Sequence, residues 1–307
     1  MVRFRDRRIE YTDPWISRLI MPTISDIKEK FEIQGPRRLV REAIEFAMLR
    51  SPISTTTSKR LYWKIAPTYY RKRWFLSNLN RFNAPLNPFK ILWVPPDDIT
   101  RFSPRPYPQD HNAQSLIGSV KSGNWDRPRE VKTREDYNGT PAYLYHADRF
   151  ENTIIHQSLK ERFIDGEDWR DTPIYSEAID LIETGAYLWR DCESSSEILD
   201  RCHEIEELYK QIRYEGYQTQ FQLLQRGEIR HAGFLEALAN EILVDIDRNG
   251  EFLFANGRHR LSISKILGLD SIPVVVLVRH KAWMEKREDV YYDRISIDHP
   301  DMQTLGN

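Results

Sequence analysis

Three basic residues stand together at a glycine turn in the C-terminal part of the sequence. They are Arg258, His259 and Arg260, and they directly follow Asn256 and Gly257. The apolar spacing of the next residues predicts a helix that begins at this turn. The first backbone N–H groups of a helix lack intrahelical partners and carry partial positive charge. The turn is therefore suited to an anion, above all a phosphate group.

Two β-rich runs flank this turn and are expected to hold it in place. Residues 242–247 read ILVDID and are predicted to pair with residues 252–255 across a short turn that ends at Gly250. Gly268 is expected to end the helix after the basic turn, and a further strand is predicted over 272–278. The unit therefore reads strand, turn, helix, strand.

Asp245 and Asp247 alternate with Val244 and Ile246 in the first of these strands. Strand alternation would place both carboxylates on one face of the sheet. There they could act as a catalytic base or hold Mg²⁺ beside a bound phosphate. The alternative is that both carboxylates face solvent at an edge of the sheet.

The run NGRHRLSISKILGLDSIPVVVLV, over 256–278, resembles the nucleotide-binding core of the ParB/sulfiredoxin-like superfamily. Its members share a glycine turn with basic residues before a helix, and then a Leu-Gly-Leu-x-x-Ile-Pro-Val type of strand entry. The resemblance implies a small mixed sheet with helices. It also implies that Gly257, His259 and Arg260 hold a nucleotide phosphate, of ATP or CTP for example. Asn256 and Arg258 complete the predicted ligand site.

The chain departs from individual branches of this superfamily. Sulfiredoxins have a nucleophilic Cys directly before their His-Arg pair, where this chain has Arg258, so sulfiredoxin chemistry is not expected. Partition proteins continue into a helix-turn-helix region, and too few residues follow His280 for us to expect one. A small-molecule kinase of the free-serine-kinase type stays an alternative, although the motif lacks a recognisable catalytic base.

Residues 46–96 form a basic, aromatic segment with nine Lys or Arg, ten aromatic residues and no Asp or Glu. Such a segment suits DNA, RNA or an anionic membrane surface, with Arg71, Lys72 and Arg73 in contact. Its aromatic rings could stack on exposed bases. A nucleic-acid-binding or nuclease-like protein is therefore a second alternative. The same composition also fits a helical cap that packs its aromatic rings and solvates its charges.

The composition predicts a folded protein with no membrane-spanning helix. Among 307 residues, 40% are hydrophobic and 30% are charged, and the net charge is −1. No apolar run approaches the length of about 18 residues that a spanning helix needs. The two cysteines, Cys192 and Cys202, have no metal-ligand spacing, and a reducing cytoplasm is the expected compartment.

We predict an α+β fold with two parts. Residues 1–89 form a basic, helical N-terminal region, with helices over 37–50 and 61–80 and a break at Pro67. Residues 90–307 form a ParB/sulfiredoxin-like domain that opens with a strand over 90–94. An α-rich insertion splits this domain at about 105–215, with amphipathic helices over 174–183 and 195–214.

Overall fold

The β-rich runs form a six-stranded mixed sheet in the computed structural model, which describes residues 36–50, 56–78, 81–105, 113–127, 149–185, 188–189, 192–226 and 233–305. The strands run in the order β1-β6-β4-β5-β2, and β3 pairs with the last residues of β6. Their bounds are β1 Leu92–Val94, β2 Ile99–Phe102, β3 Ser119–Lys121, β4 Ile242–Ile246, β5 Phe252–Asn256 and β6 Ile272–His280. The predicted α+β class and the opening strand are confirmed.

The predicted hairpin is present, because β4 and β5 pair in antiparallel fashion on either side of a short turn. On its other edge β4 pairs with β6 in parallel. Every residue of β4 and β6 is buried, so elements cover both faces of the sheet at its centre. Apolar runs without polar alternation are typical of strands that are buried in this way.

Ten α-helices occur in the described residues. They are α1 Pro36–Glu45, α2 Thr56–Ser77, α3 Ala113–Leu116, α4 Ile154–Lys160, α5 Pro173–Glu183, α6 Ser195–Glu215, α7 Gln220–Arg226, α8 Phe234–Ala239, α9 Arg258–Ile266 and α10 Lys281–Tyr291. The predicted helices over 174–183 and 195–214 are confirmed as α5 and α6. Ser194 caps α6, since its hydroxyl accepts the backbone N–H of Glu197.

The chain divides into two compact units. The smaller comprises Met1–Lys72 and Gln220–Ala237, and the larger comprises Arg73–Thr219 and Leu238–Asn307. The predicted division at 89/90 and the insertion at about 105–215 stay predictions. Within that range, β3 joins the sheet, and α4 to α6 share a core with α9.

In the larger unit, α9 lies between two hydrophobic cores. Leu261 belongs to the core that lines one face of the sheet, together with Trp283, Val244 of β4 and Val276 of β6. Ile263, two residues later, belongs to the core formed by α4, α5 and α6. Packing on both sides holds α9 in place, and with it the turn from which α9 begins.

In the smaller unit, α2 buries Tyr62, Ala66 and Tyr70 on one face. Tyr70 stacks on Phe234, with ring centroids 5.6 Å apart, and the hydroxyl of Tyr62 accepts the N–H of Phe234. The predicted break at Pro67 is wrong, because α2 runs without interruption through that residue. An interior proline costs a helix about 3 kcal/mol. We attribute the unbroken helix to the burial of these residues on both sides of Pro67.

A buried ion network ties the 3-10 helix Pro300–Thr304 to the sheet of the larger unit. The carboxylate of Asp301 accepts hydrogen bonds from Arg279, Arg287 and the indole N–H of Trp283. Asp301 and Arg287 are fully buried, and Arg279 is 1% exposed. Two guanidinium groups therefore share one carboxylate in the interior, so the loss of Asp301 would remove the counter-ion of both.

His299 adjoins this network, and both of its ring nitrogens have backbone partners. Its Nε2 lies 2.9 Å from the carbonyl oxygen of Gly250, and its Nδ1 accepts the N–H of Asp301. Only the neutral Nε2–H tautomer satisfies both contacts, and burial lowers the pKa of His299. Burial also lowers the pKa values of His156 and His259.

We expect the free energy of unfolding to fall as pH falls below the ordinary histidine pKa of about 6.5. Below that pH the unfolded chain binds protons that the folded chain, with its lowered histidine pKa values, does not bind. The contribution of these neutral histidines to stability is therefore fully present above the ordinary histidine pKa and is lost as the pH falls below it. Urea unfolding at a series of pH values measures the slope. His299→Gln should reduce the slope. Equal slopes in this variant and in the wild type would contradict the prediction.

In the part of the chain that the structure describes, no helix is both long enough and apolar enough to cross a membrane.

Candidate functional site

The predicted ligand turn is a rigid link between β5 and α9. Gly257 lies at the N-cap of α9 with φ of +97°, a conformation that favours glycine. A Cβ atom at this position would lie 3.0 Å from the Cα of Ile242 on the neighbouring strand. The side-chain oxygen of Asn256 accepts the N–H of Gly257 at 2.7 Å. No side chain at the N-cap bonds to the first turn of α9.

His259 is buried at the start of α9, where its surroundings favour the neutral imidazole. Its side chain is 8% exposed, and its Nε2 has no hydrogen-bond partner among the described residues. Burial lowers the pKa of His259 well below its ordinary value, and the charges of Arg258, Arg201 and Arg260 lower it further. The expectation that His259 contributes a positive charge is therefore wrong. A neutral imidazole can still donate one N–H.

The indole of Trp189 lies beside His259, at a distance of 6.5 Å between ring centroids. It is 8% exposed, and its Nε1 is a second buried donor with no partner in the described part of the chain. Sequence reasoning missed both Trp189 and Arg201. They are far from the motif along the chain, and the packing of α6 on α9 brings this region to the turn. No local pattern marks them.

The two arginines of the motif have different surroundings. The guanidinium of Arg260 bonds to the hydroxyl of Tyr217 and the carbonyl oxygen of Asn240, and lies 3.6 Å from the buried carboxylate of Glu241. Its charge is thus balanced within the protein. Arg258 is partly exposed, and its charge acts on the imidazole of His259.

Asp245 lies inside the sheet rather than at a solvent-facing edge. It is fully buried, and it accepts hydrogen bonds from Ser103, from the backbone N–H of Val278 and, in bidentate fashion, from Arg105. Burial raises the pKa of Asp245, while the Arg105 charge opposes the rise. The expected solvent-facing edge is wrong, and Asp245 forms an internal ion pair. Its catalytic role stays a prediction.

Asp247 closes the β4–β5 turn. One of its carboxylate oxygens accepts the backbone N–H groups of Asn249, Gly250 and Glu251 at 2.7 to 2.8 Å, and Arg101 bonds to the other oxygen. Asp247 is 3% exposed, so it too is buried. It lies in the turn before β5, whereas the basic turn follows the end of β5. The structure therefore does not bring Asp247 to His259.

A surface cavity of about 330 Å³ lies at the β4–β5 turn. Arg248 forms a close ion pair with Asp126 there, and Arg101 pairs with Asp247. Although burial opposes it, the hydrogen bonds from Arg248 lower the pKa of Asp126 to about 2. Because the protein already satisfies both carboxylates of this cavity, we regard the basic turn, with its two unsatisfied buried donors, as the better ligand site.

The remaining candidates are Arg71, Lys72 and Arg73, which are exposed on α2. A contact with nucleic acid through them stays a prediction. Among the described residues, no group of three or more His, Cys, Asp and Glu side chains is arranged to hold a metal ion. The predicted Mg²⁺ therefore has no assigned ligands.

Comparison with known proteins gives no relative for this chain: no family profile, curated protein or solved structure matches it.

Proposed function

We propose that this protein binds a phosphate-bearing ligand, a nucleotide such as ATP or CTP, at the turn formed by Gly257, Arg258 and His259. The observation that carries the proposal is the buried Nε2 of His259, which has no partner among the described residues. A buried polar atom without a hydrogen bond costs about 1–3 kcal/mol. Native proteins seldom leave such an atom unsatisfied, and a bound ligand would provide the missing hydrogen bond.

The position of this atom supports a phosphate. It lies in the first turn of α9, whose N-cap Gly257 has no side chain to occupy the N–H groups of that turn. Helix starts of this kind bind anions through those N–H groups and the helix dipole. In its Nε2–H tautomer, neutral His259 donates to a phosphate oxygen. The Nε1–H of Trp189 is a second donor beside it.

The charges around the turn also favour an anion. Arg258 and Arg201 both act electrostatically on the His259 ring, and no carboxylate is among the groups that shift its pKa. Glu241 is paired with Arg260, and Glu204 is paired with Arg201. The arginine charges that act on His259 favour an anion at this partly buried turn, where charge-assisted hydrogen bonds are strong.

The site offers donors and positive charge rather than a reacting group. Among the described residues, no Ser, Thr, Cys or carboxylate forms a hydrogen bond with the Nε2 of His259. We therefore propose binding, and phosphoryl transfer to a small hydroxyl compound stays a prediction from the resemblance to free serine kinases.

Replacing His259 by leucine tests this proposal. Leucine fills a similar volume without an unsatisfied nitrogen, so the unliganded variant should be as stable as the wild type or more stable, by up to about 3 kcal/mol. The same change should weaken ligand binding by tenfold or more, since about 1.4 kcal/mol is one factor of ten. Thermal shift with ATP, ADP, CTP and inorganic phosphate, with and without Mg²⁺, measures both effects.

A matched control is His156→Leu. His156 is also 8% exposed, also has a buried ring nitrogen without a partner among the described residues, and adjoins Lys265 in the last turn of α9. The ligand-induced shift should persist in this variant. His259→Gln, which keeps an N–H donor, should retain part of it. A shift of equal size in His259→Leu and wild type, or no shift with any of these compounds, would disprove the proposal.

A further inference from the structure

Helix α2 presents a second apolar face, which is exposed in the part of the chain that the structure describes. Leu61, Ile65 and Tyr69 follow one another at intervals of four residues and are therefore on one side of the helix. Their exposed fractions are 49%, 52% and 52%. The buried face of α2, with Tyr62, Ala66 and Tyr70, is a separate one. Exposed aliphatic residues in a row, rather than singly, mark an interaction surface.

The charges beside this stripe of Leu61, Ile65 and Tyr69 have one sign. Helix α2 contains six Lys or Arg and no Asp or Glu. Lys64 follows Leu61 by three residues and Lys72 follows Tyr69 by three, so both flank the stripe, and both are exposed. Long basic side chains can lay their methylene groups along apolar surface and keep the ammonium in the aqueous layer. A binding partner that complements this stripe and its basic border would offer an apolar interior with anionic groups around it.

Of the six aromatic rings of α2, two are exposed, those of Tyr69 and Phe75. Tyr62 and Tyr70 are buried, and Trp63 packs edge-on against Phe221 at 5.5 Å. The exposed stripe is mainly aliphatic. Aliphatic side chains bind neither base edges nor phosphates, but they gain free energy by entering the acyl region of a bilayer. The observations thus favour a lipid surface over RNA or DNA.

We propose that α2 docks on an anionic membrane surface, with Leu61, Ile65 and Tyr69 inserted at the boundary of the acyl chains. Lys64 and Lys72 contact the phosphate and carboxylate groups of the lipids. A helix with an apolar stripe and a basic border lies in the plane of the interface, and the electrostatic part of its affinity depends on anionic lipid. This docking is independent of the ligand at Gly257.

Vesicle flotation with the full chain tests the proposal. Wild type should float with phosphatidylcholine vesicles that contain phosphatidylserine, and should float much less with phosphatidylcholine alone. Leu61→Ser with Ile65→Ser should lower the bound fraction by more than about tenfold, since both side chains lose their apolar contact. Lys64→Gln with Lys72→Gln should lower it too, and should weaken its dependence on salt.

The control variant is Ile164→Ser with Ile295→Ser, which removes two aliphatic side chains that are 58% and 43% exposed elsewhere. It should bind vesicles like wild type, and all variants should keep the far-UV circular dichroism of the wild type. Three results would overturn the proposal: no flotation of wild type, undiminished flotation of the Leu61/Ile65 variant, or a dimeric wild type that becomes monomeric in that variant, which would make the stripe an interface between copies of the chain. Tight binding of an RNA or DNA oligonucleotide that needs Lys64 and Lys72 but neither Leu61 nor Ile65 would also overturn it.

Discussion

Replacing Asp301 by asparagine is expected to lower the free energy of unfolding by about 3–5 kcal/mol. Asparagine matches aspartate in size but has no charge, so the buried guanidinium groups of Arg279 and Arg287 would lose their shared counter-ion. Those two groups outweigh the effect of burial and lower the pKa of Asp301, which means that they stabilise its charged form. Equilibrium unfolding in urea measures the loss.

The matched control for this change is Asp298→Asn, because Asp298 lies in the same segment and is exposed. Its substitution should alter stability by less than about 0.5 kcal/mol. A double-mutant cycle adds a second readout. Arg279→Met should cost less in the Asp301→Asn background than in wild type, with a coupling of roughly 0.5–3 kcal/mol. If both Asp variants were equally stable, the buried network would not hold the 3-10 helix as the structure indicates.

Replacing Gly257 by alanine is expected to lower the free energy of unfolding by about 2–5 kcal/mol. Two costs add at this position. A φ of +97° is unfavourable for alanine, and the new Cβ would lie 3.0 Å from the Cα of Ile242, a backbone atom that cannot rotate away. Either β4 or the start of α9 must shift, and both are buried on several sides. Chemical denaturation of the purified variant gives the value.

Gly123→Ala is the matched control, since Gly123 has nearly the same φ, +96°, with nothing within 4 Å of an added Cβ. It should incur only the conformational cost, about 1–2 kcal/mol. The difference between the two variants isolates the close contact with Ile242. Equal losses would show that the backbone conformation, and not the approach of β4 to the turn, requires glycine at position 257.

The strand, turn, helix and strand around the basic motif could be predicted because their signals are local. The hairpin turn, Gly257 and the apolar spacing of α9 each act within a few residues. The hydrogen-bond and ion-pair partners of individual polar side chains could not be predicted, since those partners are distant in sequence. Asp245 meets Arg105, 140 residues away, and Asp126 meets Arg248, 122 residues away. Such pairs leave no periodic pattern.

The same distinction explains the two errors at the site. A strand with alternating aspartates has the pattern of a half-exposed strand, but elements that pack on β4 bury both faces. A histidine between two arginines has the pattern of a cationic cluster, but burial and those neighbouring charges keep His259 neutral. In each case desolvation, which a sequence does not display, changed the chemistry of the residue.

The sequence by itself determined that a glycine turn with basic residues begins a helix after a β-strand, and that a basic, aromatic helix lies elsewhere in the chain. Backbone conformation and hydrophobic periodicity are local properties, and they were sufficient for both. Only the tertiary structure decided which polar side chains at the turn are paired and which apolar side chains of α2 are exposed. Packing paired Arg260 with Glu241, placed Trp189 beside His259, and left the Leu61 stripe of α2 exposed, because burial and ion pairing depend on distant segments.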